Sequence, residues 1–449
     1  MRLVAPFALL PGGWADDVAI DIDAAGTIVG VTPRAAAEGG VRAAGPLVPG
    51  MPNLHSHAFQ RALAGRTGRA NAGGDSFWTW RQAMYGMLAR IDADAFEAIA
   101  TQAFVEMAKA GYTAVAEFHY VHRDPQGAPY ADPAELAHRV VAAAAEAGIA
   151  LTLLPVFYAH AGFGGAAPAP GQHRFVHTVD SFAQLIASLA DDVKARGVVL
   201  GVAPHSLRAV TPDELAAVAA LAAAGAPIHI HAAEQAREVA ECLAWSGARP
   251  IEWLLDHAAV DARWCVVHAT HVTPDEARRL AASGATAGLA PTTEADLGDG
   301  TFPARAFLDA GGAFGVGSDS NTIVDPFVEL RQLEWSQRLA LQSRNVLATA
   351  EEPVGTALYA RAARGGGRAL ARPTGAIAAG MRADLVVLDA EDAALSGVPR
   401  DALLDAAIFG PCRRPVRDVM VGGRWVVRDG RHPGEDRALR RYGAAIAGL

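Results

Sequence analysis

Lysine is almost missing from this chain: of its 39 basic residues only Lys109 and Lys194 are lysines, and the rest are arginines. Cysteine is scarce as well. Cys242, Cys265 and Cys412 form an odd set without C-x-x-C spacing, which argues against a disulfide framework and suits a reducing compartment. No apolar run is long enough to span a bilayer, and the short apolar start, Met1 to Leu10, is not followed by a cleavage pattern. A cytoplasmic protein without a membrane partner is expected. Positive charge is never concentrated either. With a net charge of −9 and no basic run, the chain is not expected to bind nucleic acid.

What is present is length and alternation. A chain of 449 residues can bury a barrel-sized core and a smaller second one. Apolar strand candidates at Pro49–His57, Thr113–His119, Ala150–Tyr158, Val198–His205, Pro227–His231, Trp264–His268, Ala285–Ala290 and Ala313–Asp319 alternate with Ala-rich helical stretches such as Pro212–Ala224. Eight βα units imply an α/β fold, a (β/α)8 TIM-type barrel over 49–375. Short strands at 1–48 and again at 376–449 are expected to complete one small β-sandwich, the second piece ending in a helix. Asp213 with Glu214, and Asp275 with Glu276, put acids in the first turns of their helices, where the helix dipole favours them.

In such a barrel chemistry sits at the C-terminal ends of the strands. The candidate strand ends carry His55 and His57, Glu117 and His119, Tyr158, His205, His231, His268, Pro291 and Asp319. Residues i and i+2 of a strand face one way, so His55 and His57 aim at one point. With His231 and Asp319 they make three imidazoles and a carboxylate, a ligand set suited to a borderline-soft divalent ion, most simply zinc. Iron or manganese would fit the same ligands. Such an ion lowers the pKa of a water toward neutrality and so makes a nucleophile. Glu234, just past its strand end, is placed to move a proton to a leaving nitrogen. His268 is placed to orient the water and stabilise developing charge. The competing readings are ordinary ones: core histidines for His231 and His268, a helix cap for Asp319, a helix-start surface acid for Glu234. His229 lies one step deeper than His231 and is read as structural.

These pieces resemble the amidohydrolase superfamily in its mononuclear aminohydrolase branch, through Pro49–His57, His231-Ala-Ala-Glu234, His268 and Gly317-Ser-Asp319. Both lysines fall in helical stretches, so neither can supply the bridging carboxylated lysine of two-metal members. One ion is expected, unless another carboxylate bridges. Within the superfamily, Asn53–Gly65, Phe77-Trp-Thr-Trp-Arg81, Glu117-Phe-His-Tyr120 and Pro204-His-Ser-Leu-Arg208 are similar to the family of deiminases that act on N-formimino-L-glutamate in histidine degradation. That resemblance implies hydrolysis of the formimino C=N bond to N-formyl-L-glutamate and ammonia, and a homodimer. It implies Gln60, Arg81, Tyr120, His205 and Arg208 as contacts to a small dicarboxylate. Two guanidiniums suit two carboxylates, since each can grip one with two parallel hydrogen bonds. The nearest rival is a superfamily deaminase acting on guanine, cytosine or a triazine. It is separated by whether Arg81 and Arg208 face the metal ligands. A barrel that has lost its chemistry is a second rival, and the intact ligand set weighs against it. The loops at Gly162–Gly171 and Pro291–Phe302 are candidate covers over the site, and the Gly365–Gly367 run with Pro373 is expected to mark the exit from the barrel.

Overall fold

The computed structural model describes residues 1–35, 39–69 and 73–449. Eight parallel strands build the barrel: β1 (Met51–Ser56), β2 (Tyr112–His119), β3 (Ala150–Phe157), β4 in two short pieces (Val199–Leu200 and Ala203–Pro204), β5 (Ile228–Ala232), β6 (Trp264–His268), β7 (Thr286–Leu289) and β8 (Ala313–Val316). They pair in sequence order as two arcs, β1 to β4 and β5 to β8. Parallel bridges Val202–Ile228 and Ser56–Asp319 join the arcs. β2 and β5 are buried at every position, as parallel strands covered on both faces must be. The helices start where the sequence places acids. Thr211 and Thr273 each cap a helix that opens on proline, and Glu214 and Glu276 return the hydrogen bond to the capping residue's N–H at 2.8 Å.

Both chain ends share one eight-stranded sheet, in which Leu47–Pro49 runs antiparallel to Leu385–Leu388. Its separate core joins Leu3, Val18, Ile20 and Ile28 to Leu385, Val387 and Met420. The C-terminal strands thus continue the N-terminal ones edge to edge in a single sheet. The Gly365–Gly367 run does not leave the barrel. It lies inside the Val354–Ala369 helix, where a Cβ on Gly365 would overlap the Phe314 carbonyl, so glycine lets this helix press onto β8. The Pro291–Phe302 stretch is likewise not a plain loop: Pro291–Leu297 forms a helix, with Glu294 accepting from the Ala290 N–H at 3.0 Å.

Strand alternation also corrects the reading of the strand ends. Phe118 packs at 5.0 Å and 4.5 Å, ring to ring, on His55 and His231, so its neighbours Glu117 and His119 point out of the barrel. His119 joins His122 and His177 in a buried cluster. Burial, with His177 nearby, lowers His119 to about 3, and burial, with Arg123 nearby, lowers His177 to about 4. Unfolded histidine takes its proton near 6.5, so the unfolded state binds protons first as pH falls. Stability held above pH 6.5 is therefore lost between about 6.5 and 4, by about 3 kcal/mol for His177 at about 1.4 kcal/mol per pKa unit. The His177→Gln variant is expected to show a shallower drop of urea midpoint over this window than the parent chain. Equal slopes would clear His177 of a part in acid unfolding.

Candidate active site

β1 delivers His55 and the residue just past its end delivers His57, β5 delivers His231, and the turn after β8 delivers Asp319. The first and last strands are tied side by side through polar groups. Asn53 donates to Ser318 Oγ at 2.7 Å and accepts from the Ser318 N–H at 3.1 Å, and Asn321 Nδ2 donates to the His57 carbonyl at 3.0 Å. Gly317 permits this approach, because a Cβ there would stand 2.6 Å from the His55 carbonyl oxygen. Asp319 itself sits at φ 45°, a left-handed conformation that aspartate tolerates better than most residues.

The three imidazoles present nitrogen atoms that all lie within 4.8 Å of one another. His55 Nε2 is 3.2 Å from His57 Nε2 and 3.1 Å from His231 Nε2. His57 Nδ1 donates to the Phe118 carbonyl at 3.0 Å, and His231 Nδ1 to the His205 carbonyl at 3.0 Å. A carbonyl only accepts, so in both rings the proton sits on Nδ1 and Nε2 offers a bare lone pair. Burial lowers all three histidines, His57 to about 3, and keeps the rings neutral. A proton on His55 Nε2 serves only one of its neighbours well, whereas a cation at the focus serves all three. Asp319 Oδ1 lies 3.5 Å from His55 Nε2 and 3.4 Å from His57 Nε2. Buried neutral nitrogens with one carboxylate are a donor set that fits a divalent ion.

Around this focus stand the remaining predicted groups. His268 Nε2 is 3.8 Å from Asp319 Oδ2 and 3.9 Å from Glu234 Oε1, while its Nδ1 donates to Glu294 at 3.2 Å. Burial opposes charge on His268, but Glu234, Glu294 and Asp319 together push it up to about 10. Burial raises Glu234, against the pull of His268 and Arg208. Asp319 is held below the usual carboxylate range, since His55, His268 and His57 outweigh its burial. Glu234, His268 and Asp319 thus form a buried row of titratable groups beside the imidazoles.

One pocket gathers His57, His231, Asp319, Glu234 and His268 with Gln60, Arg81, Tyr120, His205 and Arg208. The structure therefore brings together every residue singled out as a substrate contact. Gln60 Nε2 donates to Tyr120 Oη at 2.9 Å, and His205, lowered well below its usual range by burial and by Arg208, is neutral. Arg208 Nη2 lies 3.6 Å from Glu234 Oε2, and the buried Nε of both Arg81 and Arg208 has no partner among the described residues. Of the two expected covers, the Pro291–Phe302 stretch reaches the pocket through Thr293 and Leu297, but it does not close it alone. The larger share comes from the Phe77–Leu88 helix, which lines the pocket with Phe77, Trp80, Arg81, Met84 and Tyr85. Sequence reasoning placed Trp78 within the Phe77–Arg81 motif but gave it no role; its ring is stacked by Arg81 at 4.5 Å and approached by Arg208 at 5.8 Å. It also missed Glu238 and Glu294. Their signal was an acid four residues past Glu234 and another in the first turn after a strand end.

Residues 47–426 match the amidohydrolase family. The chain belongs to the amidohydrolase family. Residues 3–44 additionally match the N-terminal domain described for formimidoylglutamate deiminase HutF. The chain is similar to a formimidoylglutamate deiminase of Pseudomonas aeruginosa, 53% identical over 98% of this chain and 97% of the relative. An 8-oxoguanine deaminase from the same organism is more distant, 28% identical over 90% of this chain and 87% of its own length. Among solved structures, an amidohydrolase from Brucella melitensis superposes with a TM-score of 0.95 at 49% identity, covering 99% of both chains. Within the amidohydrolase family the N-terminal match and the high identity single out the deiminase branch over the nucleobase deaminases.

Proposed function

We propose that this chain hydrolyses N-formimino-L-glutamate to N-formyl-L-glutamate and ammonia, a step of histidine degradation. One observation carries the reading: Arg81 and Arg208 line the same pocket as the histidine cluster, each with a buried Nε that has no partner among the described residues. A substrate with two carboxylates offers an acceptor to each Nε, whereas a flat neutral ring brings no carboxylate to either. The activity of the Pseudomonas relative points the same way.

His55, His57, His231 and Asp319 are the residues that would hold one divalent ion, zinc being the simplest fit to N/O donors. When bound, such an ion supplies Lewis acidity that brings the pKa of water toward neutrality. The protein's own groups do the rest. Asp319, ionised in its resting state, accepts the proton of the attacking water. His268, protonated and fixed by Glu294, donates toward the oxygen as charge develops there. Glu234, raised by burial, gives one proton to the formimino nitrogen. The proton taken up by Asp319 follows, and Glu234 recovers one from the hydroxyl as C=O forms and ammonia departs. Arg81 and Arg208 grip the carboxylates, and Gln60, Tyr120 and neutral His205 add hydrogen bonds that orient the formimino end. The reading carries with it a cytoplasmic homodimer with one ion per chain.

Ammonia release measured on N-formimino-L-glutamate beside guanine and cytosine, with metal content determined on the same sample, tests this. Turnover of the first substrate alone, at about one divalent ion per chain and lost on chelation, is expected. Turnover of a nucleobase with none of formiminoglutamate would overturn it.

A further inference from the structure

Glu238 is fully buried in the first turn of the Ala236–Ser246 helix and does not line the pocket. Its carboxylate nevertheless meets three separate parts of the site. Oε1 accepts from the Ala233 N–H and Oε2 from the Glu234 N–H, each at 3.1 Å, and Oε2 also lies 4.0 Å from Arg208 Nη2. Ala233 has φ 55°, a left-handed conformation that a residue with a Cβ adopts only when its surroundings enforce it. Two successive N–H groups gripped by one carboxylate supply that enforcement, and the turn they belong to sets the direction in which Glu234 leaves the backbone. The same carboxylate, with Glu234 Oε2 at 3.6 Å, engages the Nη2 end of Arg208 and leaves its unpartnered Nε for another ligand.

Resting on the deiminase reading above, we propose that Glu238 is a positioning residue that aims two groups at once, the proton carrier Glu234 and the carboxylate-binding fork of Arg208. It touches no substrate. Its removal therefore acts through two others and leaves two separable kinetic marks. Glutamine at 238 keeps one acceptor, turns a donor against the other N–H and removes the charge facing Arg208. Supporting residues of this kind change activity about 10- to 100-fold when altered.

The test is a kinetic cycle of Glu238→Gln and Arg208→Met on the metal-loaded enzyme, with rates expressed per bound ion and melting temperatures recorded. In the parent background, E238Q is expected to lower kcat and raise KM for N-formimino-L-glutamate. In the R208M background the KM effect should vanish, because the fork it aims is gone, while the kcat loss through Glu234 persists. Unchanged kcat and KM per ion in E238Q would overturn the proposal. So would a loss of equal size in both backgrounds with KM unmoved, which is what a merely structural role produces. Should the glutamine variant fail to fold, Glu238→Asp provides the same comparison, and parental constants there would overturn it equally. A parent enzyme that turns over no formiminoglutamate would instead overturn the deiminase reading, and is told apart by that control alone.

Discussion

Asparagine in place of Asp319 is expected to cut ammonia release by at least about a thousandfold and to leave the barrel folded. The backbone of residue 319 closes the barrel: its N–H donates to the His55 carbonyl at 3.0 Å and its carbonyl accepts from the His57 N–H at 2.9 Å. Neither bond involves the side chain. Asparagine also tolerates the left-handed φ of 45° at this position, so Asp319→Asn introduces no backbone strain. What it removes is a carboxylate whose one oxygen faces His55 and His57 and whose other faces His268 at 3.8 Å. An amide cannot take a proton from water, and it withdraws one of the negative neighbours that keep His268 protonated. The effect should therefore fall on kcat, with melting temperature within a few degrees of the parent after metal loading. A near-parental kcat in a metal-loaded variant would remove Asp319 from the proton path.

How much of this was legible beforehand follows from which physical signals are local. The period of two in a strand makes His55-Ser-His57 readable as a ligand pair, and the barrel rule turns His231, His268 and Asp319 into candidates because chemistry gathers at strand ends. The same rule over-reads β2. Glu117 and His119 end that strand but face outward, since Phe118 takes the inward position. Glu117 instead accepts from the Ala58 N–H at 2.7 Å and holds the turn that leads to Gln60, its carboxyl pushed by burial up to about 8. Residues acting on backbone N–H groups were harder to see. Glu238 and Glu294 owe their places to the turns at Ala233 and Ala290, and nothing in an isolated acid says which N–H groups it will meet. The covering Phe77–Leu88 helix was hidden for a similar reason. Its apolar residues Phe77 and Met84 read like those of any surface helix, and only the assembled barrel shows that they roof the pocket.

Methionine at position 208 should raise KM for N-formimino-L-glutamate by roughly 30-fold to several thousandfold, equivalent to about 2–5 kcal/mol for losing one partner of a desolvated charged contact. Arg208 is 6% exposed and faces Glu234 at 3.6 Å and Glu238 at 4.0 Å, so it is prepaired on one side only. The unpartnered Nε leaves capacity for a carboxylate. Methionine retains much of the length and apolar bulk, which limits collapse of the pocket. It also takes a cation away from the buried acids Glu234 and Glu238, leaving Glu234 only His268, so a lower melting temperature is expected, and assays belong well below it. The kcat should suffer far less than KM. Burial raises Glu234 while His268 and Arg208 pull it down, so removing Arg208 makes Glu234 hold its proton to higher pH, the form the leaving nitrogen needs. Lysine restores the charge without the planar fork and should recover only part of the lost binding. If KM is unchanged in the methionine variant, Arg208 does not bind substrate. Arg81, carried on the covering helix and stacked on Trp78, would then be the single guanidinium left to recognise a dicarboxylate, and the case against a nucleobase substrate would lose half its support.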